Sequence, residues 1–216
     1  MMHRSFVMTA ALSAISMACC SGAELGVLGG YGVPATSMTA MAGGTTANAG
    51  FESGAGVGAL IGDNWRQSKV LGGELRYLFL VDNLKVSQGG TQANLAARSH
   101  LLHYDLLFHA APPRSPVRPF VAVGGGARII EGTGTQQVYQ PLSQYALLTA
   151  TREIVPLISV GAGVKFKLSS RVNLRAEVRD YFNPSLSNVI AAPPGASLHG
   201  WIHEIVPLAA LTYTFR

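Results

Sequence analysis

LGGELRYLFLV, residues 71–81, is as apolar as a core strand, yet it carries Glu74 and Arg76 two residues apart. Strand side chains alternate between faces, so Glu74 and Arg76 share one face while Leu75, Tyr77 and Phe79 share the other. A second stretch, VNLRAEVRDYF at residues 172–182, has the same form: Arg175, Glu177 and Arg179 alternate with Leu174, Ala176 and Val178. A one-residue slip would exchange the faces, so both segments specify their register wherever one face is shielded from water. Opposite charges gathered on one face of a greasy strand require a setting in which the charges meet each other and the apolar face meets something apolar.

Outward from these two segments, period-two alternation appears in eight stretches of the chain. In residues 24–33, Leu25, Val27, Tyr31 and Val33 oppose Gly26, Leu28, Gly30 and Gly32. Residues 50–61 set Phe51, Ala55, Val57, Ala59 and Ile61 against Glu52, Gly54, Gly56 and Gly58. The third stretch is 71–81. In residues 96–110, Leu102, Tyr104, Leu106 and Phe108 alternate with His103, Asp105, Leu107 and His109. Residues 120–130 are mild on both faces; aligning VGGGARI (123–129) with VGAGVKF (160–166) gives Arg128 the place of Lys165. In residues 155–168, Ile158, Val160, Ala162, Val164 and Phe166 oppose Ser159, Gly161, Gly163, Lys165 and Lys167. The seventh stretch is 172–182. In residues 202–215, Ile205, Ala209, Leu211, Tyr213 and Phe215 share a face.

The connections are sorted by length. Residues 34–49, 82–95, 131–154 and 183–201 are long; GDNWRQSK (62–69), APPRSPVR (111–118) and residues 169–171 are short. Long and short alternate along the chain. A sandwich has no reason to sort loops by parity, whereas an up-and-down barrel sends odd and even connections to opposite ends.

Composition agrees. Only 12% of residues are charged, against about 25% in an average soluble domain. The hydrophobic fraction of 48% is ordinary, so Gly, Ser, Thr and Ala have replaced charge. The formal net charge is +5, but Lys and Arg are scattered singly instead of clustering as in a nucleic-acid binder, so no nucleic-acid partner is expected. Residues 1–23 read as a secretory signal, with Arg4 before an apolar run at 6–18 and Ser21, Gly22 and Ala23 before a cut at Glu24. Cys19 and Cys20 both fall within it, so the mature chain has no thiol for a disulfide or a metal. Acylation at one of them is the alternative: Ala18 suits it, but Ser16 stands where Leu is usual. No later segment reaches the roughly 18–20 apolar residues of a spanning helix, so the chain is either soluble or crosses a membrane as strands.

The expected fold is all-β: an eight-stranded antiparallel up-and-down transmembrane barrel over residues 24–216. Open sheets cannot cross lipid, where each unpaired backbone group costs several kcal/mol. Leu75, Tyr77 and Phe79 are expected to face lipid. The lumen should hold the acids Glu52, Glu74, Asp105, Glu177 and Glu204 and the bases Arg76, Arg128, Lys165, Lys167, Arg175 and Arg179. These nearly balance. Glu74, Arg76, Asp105, Arg175, Glu177 and Arg179 should meet near mid-height and, with water, plug the barrel. Inward Gly54, Gly56, Gly58, Gly161 and Gly163 would make room for long side chains opposite. A soluble barrel of lipocalin type is the alternative; its polar face would need more charge than this chain carries.

The segments GVLGGYG (26–32), GGELRY (72–77), RPFVAVGGGAR (118–128), LRAEVRDYF (174–182) and LTYTF (211–215), in that order, resemble the small eight-stranded outer membrane proteins: the transmembrane domain of outer membrane protein A and its short relatives. The resemblance covers nearly all of the mature chain. It implies a Gram-negative outer-membrane protein with four long outward loops and both mature termini in the periplasm; since the chain stops at the barrel, no peptidoglycan-binding domain is expected after it. It further implies contact with outer-membrane lipid, and periplasmic chaperones and a barrel assembly machinery that reads Ala209, Leu211, Tyr213 and Phe215. Arg216, after the terminal aromatic, and Pro207 depart from the pattern. A monomer with a structural or surface-interaction role is expected; a narrow channel for ions or small solutes is the alternative. A lipid A-modifying enzyme is a third reading, since some such barrels use a His with a Ser and an acid. His100, His103, His109, His199 and His203 match no such motif, and neighbours such as Ser99 and His100 face opposite sides of a strand. His199 and His203 lack a third metal ligand, and Gly124 to Gly126 precede no helix, so neither a metal nor a cofactor is expected.

Overall fold

The computed structural model describes residues 23–64 and 70–215. The signal assigned to residues 1–23 lies outside the described residues apart from Ala23, as do residues 65–69 of one short connection and Arg216. Along the described chain run the strands β1 (Ala23–Thr36), β2 (Met38–Ala42), β3 (Thr45–Phe51), β4 (Gly54–Asn64), β5 (Leu71–Leu80), β6 (Leu84–Gln88), β7 (Thr91–Leu95), β8 (Ala97–His109), β9 (Val117–Gly132), β10 (Leu147–Leu148), β11 (Arg152–Lys167), β12 (Val172–Asn183), β13 (Ile190–Ala191), β14 (Ala196–His199) and β15 (Ile202–Thr214).

Eight of them, in the order β1-β15-β12-β11-β9-β8-β5-β4, close an antiparallel barrel. Each barrel strand pairs with the next one along the chain, and β1 closes on β15 through pairs such as Leu25 with Tyr213 and Val27 with Leu211. The short connections and both ends of the described chain gather at one end, here the turn end. The faces fall as the alternation requires. Val27 is 65% exposed and Leu102 52%, whereas Arg76, Arg175 and Arg179 are fully buried inside. The barrel is therefore apolar outside and charged inside.

The other end corrects the reading of residues 34–49, 82–95, 131–154 and 183–201 as loops. β2, β3, β6, β7 and β14 form a five-stranded sheet in the order β14-β2-β3-β6-β7, and β10 pairs with β13. This cap has an apolar core of its own. Met38, Ala49, Phe51, Leu84 and Val86 pack with Leu148, Leu186 and Ile190, and the cluster reaches the barrel rim at Ile130, Val155 and Ile202. Two hairpins make the sheet possible. β2 turns into β3 at Gly43 and Gly44, and β6 turns into β7 at Gly89 and Gly90; all four have φ between 53° and 86°. Two successive positive-φ residues define the tight hairpin turn whose twist matches that of the flanking strands, and glycine adopts it without strain.

The second alternating stretch, read as residues 50–61, is also corrected. It breaks at Glu52 and Ser53: β3 ends at Phe51 inside the cap and β4 begins at Gly54 in the barrel wall. Phe51 is buried in the cap core and does not share the outward-facing side of Val57.

Candidate functional site: a lumen closed by ion pairs

β5 and β12 lie diametrically opposite in the barrel ring. Their alternation points Glu74 and Arg76 from one wall, and Arg175, Glu177 and Arg179 from the other, into the same space. Arg76 donates to Glu74 on its own strand at 2.5 Å and across the lumen to Glu177 at 2.7 Å. Arg175 crosses in the opposite sense to Glu74, also at 2.5 Å. Arg179 donates to Glu177 at 3.1 Å and to Asp105 of β8 at 2.9 Å, and His103 lies 3.2 Å from the same carboxylate. Three guanidiniums thus meet three carboxylates, and the layer is neutral without its histidine. Charge-assisted bonds of this kind are short and directional.

The walls make room for it. Gly161 and Gly163 on β11 lie beside Arg179 and Glu177, and an added Cβ would overlap the Arg179 side chain at the first position and the Glu177 Cβ at the second. Towards the cap, Leu78, Leu80, Leu101, Leu157 and Val206 gather with Tyr181 into an apolar layer, while Leu60 and Leu208 line the wall at the level of the charges themselves, paired with Arg76 and Glu177.

A second charged group sits between that layer and the cap. Arg128 bonds Asp82 and lies 2.9 Å from Glu204; its Nε donates to Ser99 at 3.0 Å and its guanidinium stacks on the Phe51 ring, 4.0 Å from the centroid. Two buried carboxylates share one guanidinium. Burial, together with the neighbouring Glu204 charge and against the pull of Arg128, pushes the Asp82 carboxyl, which lies between β5 and β6, up to about 7. At the turn end, Lys165 pairs with Glu24 at 2.5 Å, and Thr212 also bonds Glu24.

Nine of the eleven residues expected in the lumen therefore make ion pairs inside it. Glu52 does not: it lies in the cap, where Asn94 at 2.9 Å and Asn83 at 3.2 Å donate to it, because the chain leaves the barrel at that residue. Lys167 points into the turn-end mouth and is exposed, with no acidic partner among the described residues. Arg128 and Lys165 both point inward, but they serve different layers near opposite ends, since β9 and β11 run antiparallel with Val123 opposite Val160. Sequence reasoning does not find Glu24 and Asp82, whereas His103 takes the inward, polar place that its face of the strand predicts. Asp82 lies in what reads as a loop, and Glu24 stands alone among glycines. Nor does it find Glu153, which holds the cap instead of the lumen, its two oxygens accepting the backbone N–H groups of Ser187, Asn188 and Val189 at 2.8 to 3.1 Å.

Among the described residues, the histidines do not assemble a nucleophile. Ser99 faces inward to Asp82 and Arg128, while His100 faces outward, 2.7 Å from the Tyr77 hydroxyl. His203 lies on the Asp180 side of β15, at 3.8 Å, with Glu204 turned inward. Within the described residues, no three His, Cys, Asp or Glu side chains come together as a metal site.

No protein-family model matches the chain, and no curated protein sequence does. Solved structures do. Neisserial surface protein A aligns over 90% of this chain and 98% of its own, with a TM-score of 0.54 at 12% identity. The outer membrane protein OprG of Pseudomonas aeruginosa aligns over 91% and 97%, with a TM-score of 0.52 at 13% identity. At such identities the likeness is one of fold, and it extends through nearly the whole of both structures. The chain has the fold of the small eight-stranded outer-membrane β-barrels.

Proposed function

We propose that this chain is an integral outer-membrane barrel whose lumen is closed and whose capped end is its working surface. Residues 1–23 direct export, and the barrel inserts with the turn end and both mature termini in the periplasm and the cap outside. It works as a monomer in a structural or surface-interaction role. The observation that carries this reading is the pair of crossed contacts, Arg76 with Glu177 and Arg175 with Glu74, which tie opposite walls together across the lumen. The leucine layer and the cap core lie in series with them. An ion on the axis would have to break buried pairs and then cross two apolar layers.

During biogenesis the barrel assembly machinery reads β15 from Ala209, Leu211, Tyr213 and Phe215. Tyr213 and Phe215 support this: their rings lie 5.1 Å apart at the turn end, where Tyr213 also takes a hydrogen bond from Arg171. Deleting residues 213–216 is expected to leave export intact and block insertion.

Planar-bilayer recording combined with heat-modifiable gel mobility tests the reading. A heat-modifiable protein that shows no discrete conductance is the expected result. Steps of steady conductance from the folded wild-type barrel would favour the channel instead.

A further inference from the structure

At the turn end the lumen widens into a cavity of about 540 Å³. Arg114, Arg118, Lys165 and Lys167 line it, with Glu24 as the one carboxylate among its described lining residues. Glu24 is already committed to Lys165 at 2.5 Å. Arg118 is held in place through its Nε, which donates to the Ala111 carbonyl at 2.9 Å. The side chains of Arg114 and Lys167 have no ion pair or hydrogen bond with any described residue. Asn173, on the same wall, adds a polar side chain to the lining.

In the central layer every guanidinium meets a carboxylate, whereas here Arg114 and Lys167 meet none among the described residues. Four cations from β9, β11 and the connection between β8 and β9 converge on one space in which Glu24 is the one acid among the described lining residues. A concave site lined by one sign of charge concentrates counter-ions, and its volume falls in the range of small-molecule sites, roughly 300–1,000 Å³. Arginine supplies a planar fork suited to phosphate or carboxylate, and lysine a mobile point charge.

We propose that the turn-end vestibule binds a small, soluble, multivalent oxyanion, a phosphate or polycarboxylate compound held by Arg114, Arg118 and Lys167 with Lys165 behind them. The vestibule is lined by the inward residues and connections of the turn-end mouth, which favours a water-borne ligand over a lipid headgroup. Because Arg114 and Lys167 are exposed, their replacement leaves the barrel intact, so the site can be tested on the folded protein.

The test is calorimetric titration of the full-length mature protein in a nonionic detergent, with inorganic pyrophosphate as the probe and citrate as competitor. One-to-one binding that citrate displaces is expected. The double substitution Arg114→Gln with Lys167→Gln should weaken it roughly tenfold or more. Arg98→Gln, which removes a charge at the cap end, should leave it within about twofold, since it lies beyond the screening length. Absence of saturable binding to either anion would overturn the proposal. So would a double variant that binds like the wild type, or an Arg98→Gln variant that loses as much.

Discussion

The barrel and the cap are built by the same chain on opposite plans. In the barrel wall Leu75 and Tyr77 face out while Glu74 and Arg76 are buried. In the cap Met38, Ala49, Leu84 and Val86 face in, and the outer surface of the sheet is polar. Strand register aligns His199, Thr39, Asn48, Ser87 and Gln92 in a row across all five strands of that surface. The switch takes a residue or two: Phe51 belongs to the cap and Gly54 to the wall. Alternation is common to both regions, and the medium outside each sheet decides which face turns out. In the proposed membrane setting, hydrocarbon draws the apolar face of the barrel and water draws the Thr and Asn face of the cap. The cap strands carry a single charge, Lys85, and the cap fills its inside with apolar side chains, whereas the lumen is filled by charged side chains that must satisfy one another.

The contrast predicts that the two regions fail differently. The largest effect belongs to the lumen. Glu177 accepts from Arg76, Arg175 and Arg179, and Glu177→Ala leaves buried guanidinium groups short of a partner, so a loss of about 3–5 kcal/mol is expected. The check is urea unfolding in lipid vesicles followed by gel mobility. Glu131→Ala, at a half-buried rim site between Arg98 and Arg152, should shift the midpoint far less, and equal shifts would show that the crossed pairs are not a network.

Next comes the cap. Leu84→Ala removes a fully buried side chain from its core and should cost about 2–5 kcal/mol, confined to the cap. Hydrogen exchange should speed up in β2, β3, β6 and β7 while the barrel amides and heat-modifiable mobility stay as before. Simultaneous loss of barrel protection would mean that cap and barrel fold as one unit.

A smaller, pH-dependent effect is expected where the two regions meet. The Asp82 carboxyl is raised to about 7 in the folded protein from an ordinary value of 3.8. Between those values the folded state holds a proton that the unfolded chain has released. Stability contributed by this group therefore falls as pH rises through that window and levels off above it, by at most about 1.4 kcal/mol per pH unit. Asp82→Asn should flatten that part of the stability–pH curve, and a slope unchanged by the substitution would remove Asp82 as its source. The smallest effect belongs to the cap's outer face, where Thr46→Ala should stay within about 0.5 kcal/mol of wild type.

The barrel is legible in the sequence because its two faces differ so strongly. Leu beside Glu, or Val beside Arg, marks a strand and its facing at once, so alternation alone assigns Glu74, Arg76, Arg175, Glu177 and Arg179 to a shared interior. The parity of the connections is equally readable. The cap is not, because Ala47 alternating with Thr46 and Asn48 offers little contrast in hydropathy. The paired glycines at 43–44 and 89–90 are the signal that could reveal its hairpins. Glu52 is misplaced for the related reason that alternation continues in the sequence across the point where the chain leaves one sheet for another. Asp82 is invisible because it works as a buried partner from a connection, where periodicity says nothing.

The inversion of facing between the two regions can be measured directly. Single cysteines carrying a bimane fluorophore at Leu75 and Tyr77 in the wall, and at Met41 and Thr46 on the cap's outer face, would be placed in vesicles containing brominated lipid, with iodide in the buffer. Quenching by brominated lipid at 75 and 77, and by iodide at 41 and 46, is the predicted result. Iodide quenching at all four positions, with no effect of brominated lipid, would contradict it and make the chain a water-soluble barrel.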